Sequence, residues 1–118
     1  MALQNATGSI LISIDATIAT IEFGHPASNS FPAQLLQDLT KAIETLGQNP
    51  EVVVLVLKSQ GAAAFSAGAS FDELLAVTNE AEGKAFFSGF AHLINAMRKC
   101  PKLIVGRVQG KVVGGGVG

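Results

Sequence analysis

The chain has 118 residues, of which 48% are apolar, a formal net charge of −1 and a mean hydropathy of +0.42. That length accommodates one domain or part of one. The near-neutral charge excludes a global basic field for nucleic acid, and the longest aliphatic run, Val52 to Leu57, is far short of the ~20 residues of a membrane-spanning helix. No basic segment followed by an apolar core opens the chain, so no signal peptide is read. The single cysteine, Cys100, fits a reducing, cytoplasmic compartment. The apolar excess suits a segment that hides its faces against more chain or against neighbouring subunits.

In chain order, Ser9–Ile14 alternates as S-I-L-I-S-I, and Thr17–Phe23 follows after Asp15 and Ala16, which predicts a β-hairpin. His25–Ser30 reads as a loop. Ser30 is placed to cap a helix whose first turn carries Pro32, with Leu35, Leu36, Leu39, Ala42, Ile43 and Leu46 on one face and Gly47 at its end. Val52–Leu57 is continuously apolar and β-branched, the pattern of a strand covered on both sides. Gly61–Ser70 is a loop of small residues. Ser70 and Glu73 form a capping box that starts a short helix at Phe71, and Asn79 with Glu82 starts a second. That helix turns Phe86, Phe87, Phe90, Leu93, Ile94 and Met97 inward and stops before Pro101. Leu103–Val108 reads as another buried strand, and Gly110–Gly118 is glycine-rich.

All nine acids lie at or before Glu82, whereas residues 98–118 carry Arg98, Lys99, Lys102, Arg107 and Lys111. These cations are either solvated or subunit-facing charges, or they meet an anionic ligand. Two loops follow two buried strands: Phe65–Ser70, and Gly114-Gly115-Gly116. Both strip side chains from the backbone where a helix should begin, and free N–H groups there attract negative charge. Two such groups aimed at one point form an oxyanion hole. A single glycine triplet, alone, is read as a tight turn or a close approach.

Taken together, these segments resemble the crotonase (enoyl-CoA hydratase/isomerase) superfamily over nearly the whole chain. His25-Pro26-Ala27-Ser28-Asn29-Ser30 is similar to that family's "RP-x-x-N-A" loop, and Phe65-Ser66-Ala67-Gly68-Ala69-Ser70 to its "FSAGAD" loop. Pro101 to Gly116 resembles its "PKPVIAAVNG…GGG" segment. The resemblance implies an α/β fold, a right-handed spiral of β-β-α units, of which residues 1–118 are the N-terminal part of a single core domain, ending after the glycine-rich turn. It implies an enzyme acting on an acyl-CoA thioester, most simply an enoyl-CoA hydratase, of fatty acid metabolism or of branched-chain amino acid breakdown. The N–H groups of Ala67 and Gly115 would receive the thioester oxygen, with Ser66, Gly68, Ala69, Ser70, Phe71, His25 and Gly114 around the substrate. No cofactor beyond the coenzyme A of the substrate, no metal, no nucleic acid and no membrane is implied. The expected assembly is a homotrimer or a dimer of trimers.

The pattern also departs from the family. The hydratases' first catalytic glutamate falls on Gly118, and the second is expected beyond it. His25 replaces an arginine and Ser70 an aspartate. Phe71, Leu74 and Leu75 line the acyl pocket or belong to the core. Enoyl-CoA isomerisation and a non-catalytic acyl-CoA-binding module therefore stand as alternatives. Asp72 and Glu73 are explained by helix capping, His92 as a partly buried structural histidine, and Cys100 has no activating partner. Ser66 lacks the G-x-S-x-G context of a hydrolase nucleophile, and no set of side chains has metal-ligand spacing.

Overall fold

The alternating S-I-L-I-S-I segment and its successor pair as expected. In a computed structural model that describes residues 8–118, β1 (Ser9–Asp15) and β2 (Ile18–Gly24) form an antiparallel hairpin with Ile12 opposite Ile21. Its turn places Ala16 at φ 56°. β3 (Ser30–Phe31), α1 (Ala33–Gly47), β4 (Val54–Ser59), β5 (Ala64–Ser66), β6 (Gly68–Ala69) and α2 (Phe71–Ala76) follow. The chain continues through α3 (Glu80–Lys99), β7 (Leu103–Arg107), β8 (Lys111–Val112) and a 3-10 turn at Gly114–Gly116. Strands β1-β2-β4-β7 form one sheet, with β2, β4 and β7 parallel; β3 pairs with β6 and β5 with β8, both parallel. The small-residue loop thus contains two short strands that its composition hides, because backbone pairing and not side-chain pattern makes them.

α1 buries Leu35, Leu36, Leu39, Ala42, Ile43 and Leu46 against one face of the sheet, where Ala19, Ile21, Phe23 and Leu55 meet it. Each large side chain so buried contributes about 1.5–3 kcal/mol. Phe23 sits at the centre. Its ring is 5.1 Å from Phe31 and 5.3 Å from Phe65, the latter edge-on, and Phe31 in turn meets Phe90 edge-on at 6.0 Å. This run of rings carries the core from the sheet to α3.

Several expectations are corrected. Ser30 does not cap α1: it lies in β3, and the N-cap is Pro32, which makes no side-chain cap. Gly47 lies inside α1, and Gln48 closes it. The central strand begins two residues late, because Val52 still closes a turn by donating to the Asn49 carbonyl at 3.1 Å. Nor is that strand covered on both sides. Leu55 is buried, but Val54 and Val56 are only half-buried on the opposite face. β7 is exposed along most of its length, and among the described residues it pairs with β4 alone. On α3, Leu93 and Ala96 are buried and Phe90 and Met97 pack on the core, whereas Phe87 faces outward.

Both predicted helix starts are present. Ser70 Oγ accepts the Glu73 N–H at 3.3 Å, and Asn79 Oδ1 accepts the Glu82 N–H at 2.9 Å. Glu82 Oε1 accepts in turn from the Thr78 amide and hydroxyl, each at 2.9 Å. The bond from the Thr78 amide is the largest cause holding the Glu82 carboxyl below the usual carboxylate range. A carboxyl lowered in the folded state stabilises above its unfolded value, about 4.3, and that stabilisation is lost as pH falls through the folded value. Amide exchange at the first turn of α3, corrected for intrinsic rates, is therefore expected to quicken on acidification below about pH 4.3. Glu82→Gln should abolish that acid-dependent increment.

Among the described residues, no helix is long and apolar enough to cross a membrane.

Candidate active site

The two glycine loops meet. Ser66 is fully buried; its carbonyl accepts the Val113 N–H at 3.1 Å and its Oγ accepts the Gly68 N–H at 3.0 Å. A Cβ at Gly116 would lie 2.7 Å from Ser66 Cβ, so the third glycine of the triplet is the space Ser66 occupies. Gly68 has φ 92°, and a Cβ there would lie 2.9 Å from the Val113 carbonyl and 3.1 Å from the Gly115 nitrogen. Only glycine gives both the conformation and the approach. The loop after β5 and the turn after β8 are thereby held edge to edge, as the parallel β5–β8 pairing requires.

Which amides remain available follows from the hydrogen bonds. In the 3-10 turn, Gly116 and Val117 donate to Val113 and Gly114. The Gly115 amide finds no acceptor among the described residues, and the residue is exposed. Ala67 differs: its N–H donates to the Ser28 carbonyl at 3.0 Å. It ties the loop to the His25–Ser30 turn and is engaged within the protein, which corrects the expectation that it faces a ligand.

The β3–β6 ladder pairs Ser30 with Gly68 and Phe31 with Ala69. In a parallel ladder each residue directs N–H and C=O to the same side, and successive residues face opposite sides. Pro32 has no N–H to donate, so Phe31 and Gly68 carry the ladder bonds and the Ala69 amide turns away from β3. The Gly114–Gly116 turn packs against β6.

The His25–Ser30 turn acts through its asparagine. Asn29, at φ 57° and buried, donates from Nδ2 to the carbonyls of Gln60 and Ala64, both at 2.9 Å. Its Oδ1 accepts the His25 amide at 3.0 Å. His25 Nδ1 accepts the Ala27 N–H at 2.9 Å, so that ring nitrogen serves its own turn. From the far side, Gln109 Nε2 donates to Ser59 Oγ at 2.9 Å. Composition gave no sign of Gln109. Asn29 did carry a signal, since asparagine tolerates the left-handed conformation that the turn needs.

Beside Gly115 lies an apolar cavity of about 230 Å³, lined by Phe31, Phe65, Phe90, Ile94, Val112 and Gly116 among others. A Cβ at Gly115 would meet the Phe90 ring at 2.5 Å. Phe71, Leu74 and Leu75 do not border this cavity and do not join the core: α2 buries nothing, and Phe71 and Leu75 are each 67% exposed. Ser70 is used as the cap of α2. His92 is exposed, not partly buried, and lines a separate groove between α1 and α3 with Thr40, Glu44 and Cys100. Among the described residues, no three His, Cys, Asp or Glu side chains converge as a metal site would need.

The fold thus brings the two glycine loops together beside an apolar cavity. The family described as enoyl-CoA hydratase/isomerase matches residues 13–118, and the chain belongs to it. It is 30% identical over 101 residues to a (7aS)-7a-methyl-1,5-dioxo-2,3,5,6,7,7a-hexahydro-1H-indene-carboxyl-CoA hydrolase of Rhodococcus jostii (strain RHA1), an alignment covering 86% of this chain and 39% of that protein. It is 21% identical to a probable enoyl-CoA hydratase of Bacillus subtilis (strain 168), over 92% of this chain and 42% of the relative. The crystal structure of an enoyl-CoA hydratase/carnithine racemase from Magnetospirillum magneticum superposes with a TM-score of 0.85 at 25% identity, covering 98% of this chain and 45% of that one. The fold is that of the crotonases, and the chain spans about two fifths of the length of its relatives.

Proposed function

We propose that this chain supplies the carbonyl-polarising half of an acyl-CoA site, in which the N–H groups of Gly115 and Ala69 receive the thioester oxygen. The observation that carries the reading is the unengaged Gly115 amide beside the Gly68–Ala69 edge. Donors fixed before the ligand arrives stabilise negative charge as it develops, without reorganisation cost. In a thioester, charge develops on the carbonyl oxygen when water adds to a conjugated double bond or when a proton leaves the adjacent carbon. The backbone of Ser66–Ser70 borders the coenzyme, and the cavity beside Phe90 accepts the acyl group. Hydration of a 2-enoyl-CoA is the reaction this arrangement serves most directly.

Double-bond isomerisation draws on the same donors and needs a single base. Pure acyl-CoA binding has one feature in its favour: Gly118 has no proton to give at the position of the family's first acid. The trimeric assembly and cytoplasmic setting belong to this proposal; the first rests on the family likeness and the apolar excess, the second on the single cysteine.

The test uses a short acyl-CoA carrying a 13C-labelled carbonyl. Binding is expected to lower the C=O stretching frequency and move the 13C resonance downfield, as for a carbonyl with two donors. Hydration of crotonyl-CoA, followed at the loss of enoyl absorbance, separates an enzyme from a binding module. A bound thioester whose carbonyl is unshifted from its value in water would sink the polarisation reading.

A further inference from the structure

Glu73 lies one turn beyond the Ser66–Ser70 loop, and the sequence pairs it with Ser70 in a reciprocal cap. The structure closes half of that cap: Ser70 Oγ accepts from the Glu73 amide. The Glu73 carboxylate goes elsewhere. Its Oε1 accepts the Ala33 N–H at 2.8 Å, forty residues back along the chain. Ala33 opens α1 behind Pro32, which offers no side-chain acceptor, and the first turn of α1 contains no acid. Glu73 therefore brings from another element both the acceptor and the negative charge that a helix N-terminus lacks.

The connection closes a small ring. Phe31 pairs with Ala69; two residues after Phe31 comes Ala33, and four residues after Ala69 comes Glu73. The ladder ties one side of this ring and the carboxylate ties the other. The Ala69 amide lies between the two ties, and β6 is only two residues long. A two-residue ladder alone leaves the peptide plane free to rock about its single bonded side.

We propose that Glu73 is a positioning residue that fixes the direction of the Ala69 amide by fastening α2 to the N-terminus of α1. The inference rests on the reading that Ala69 and Gly115 receive a thioester oxygen. Losing a hydrogen bond to a charged acceptor should be felt about tenfold in the local opening equilibrium.

The experiment compares the full protein with Glu73→Ala and Glu73→Gln. Hydrogen exchange of the peptides covering 67–76 is expected to quicken about tenfold in Glu73→Ala. Exchange in β4 should be unchanged, and Glu73→Gln, whose amide oxygen still accepts from Ala33, should recover most of the protection. Affinity is then measured for free coenzyme A and for a coenzyme A analogue with an anionic oxygen in the thioester carbonyl position. Glu73→Ala should weaken the anionic analogue about tenfold and leave coenzyme A within twofold.

Unchanged exchange over 67–76 overturns the proposal. So does an equal loss of affinity for both ligands, which is what a merely structural cap would give. If the unaltered protein binds neither ligand, the thioester reading fails, while the exchange result still decides whether Glu73 restrains the Ala69 segment.

Discussion

Replacing the Gly115 amide by an ester, with glycolate in place of the glycine, is expected to lower turnover of a 2-enoyl-CoA by about 10²–10³-fold, the loss seen when one oxyanion donor is removed. The thermal midpoint should hardly move, because the lost N–H has no acceptor among the described residues. The same exchange at Ala67 should show the opposite balance. That amide donates to Ser28, so its loss costs about 0.5–1.5 kcal/mol of stability and touches no donor of the proposed hole. An ester is the right tool because side-chain substitutions are not clean here. Gly115→Pro removes the N–H but also drives a ring carbon toward Phe90, where even a Cβ would sit at 2.5 Å. Turnover within a factor of two in the Gly115 ester would remove Gly115 from the mechanism.

Asn29 is the second position of large expected effect. Asn29→Ala withdraws two donors from the carbonyls of Gln60 and Ala64 and one acceptor from His25, in a buried site. It also leaves an alanine at positive φ. Broken buried hydrogen bonds at about 1–3 kcal/mol each for an orphaned group make a loss of roughly 3–5 kcal/mol reasonable, a large share of the ~5–15 kcal/mol that holds a domain together. Asn29→Asp should cost at least as much at neutral pH, since a carboxylate cannot donate to either carbonyl and would be buried facing both.

The pH dependence has a definite sign. Burial against carbonyl oxygens raises the folded-state pKa of the new carboxyl above its unfolded value of about 3.9. The penalty is therefore smallest below that value, where the protonated group can donate one bond, and grows as pH rises through the folded pKa. Urea denaturation at pH 3.5 and pH 7, each against the unsubstituted protein, checks it. An Asp variant with the same deficit at both pH values would show that the Nδ2 bonds contribute little.

How far the sequence reaches is shown by Ser66–Ser70. The small residues, the capping serine and the glycine turn opposite are all legible, because each is a local demand on side-chain size or φ. Which amide of the loop is available is not. It depends on a two-residue ladder whose partner strand lies 38 residues upstream, and on the accident that Pro32 cannot donate. The family resemblance places the donor at Ala67 and leaves Ala69 only beside the substrate. Glu73 shows the same limit: its spacing from Ser70 is that of a local cap, yet its carboxylate is taken by a helix start that the sequence assigned to Ser30. α1 and the hairpin were recovered nearly residue for residue, since a periodic apolar face is satisfied within a few turns. The exposure of β7 is not legible, because apolar content alone does not say which faces of a strand are covered.

The run of rings from Phe23 through Phe31 to Phe90 ends against Gly115. Rings in contact pass a displacement to their neighbours where they touch. The Gly115 amide is thus seated at the far end of a column of rings that begins in the middle of the sheet and borders the cavity. If Gly115 serves as proposed, volume changes made deep under α1, many residues from any ligand, should change the aim of its N–H, so that what fills the core would matter alongside what lines the cleft.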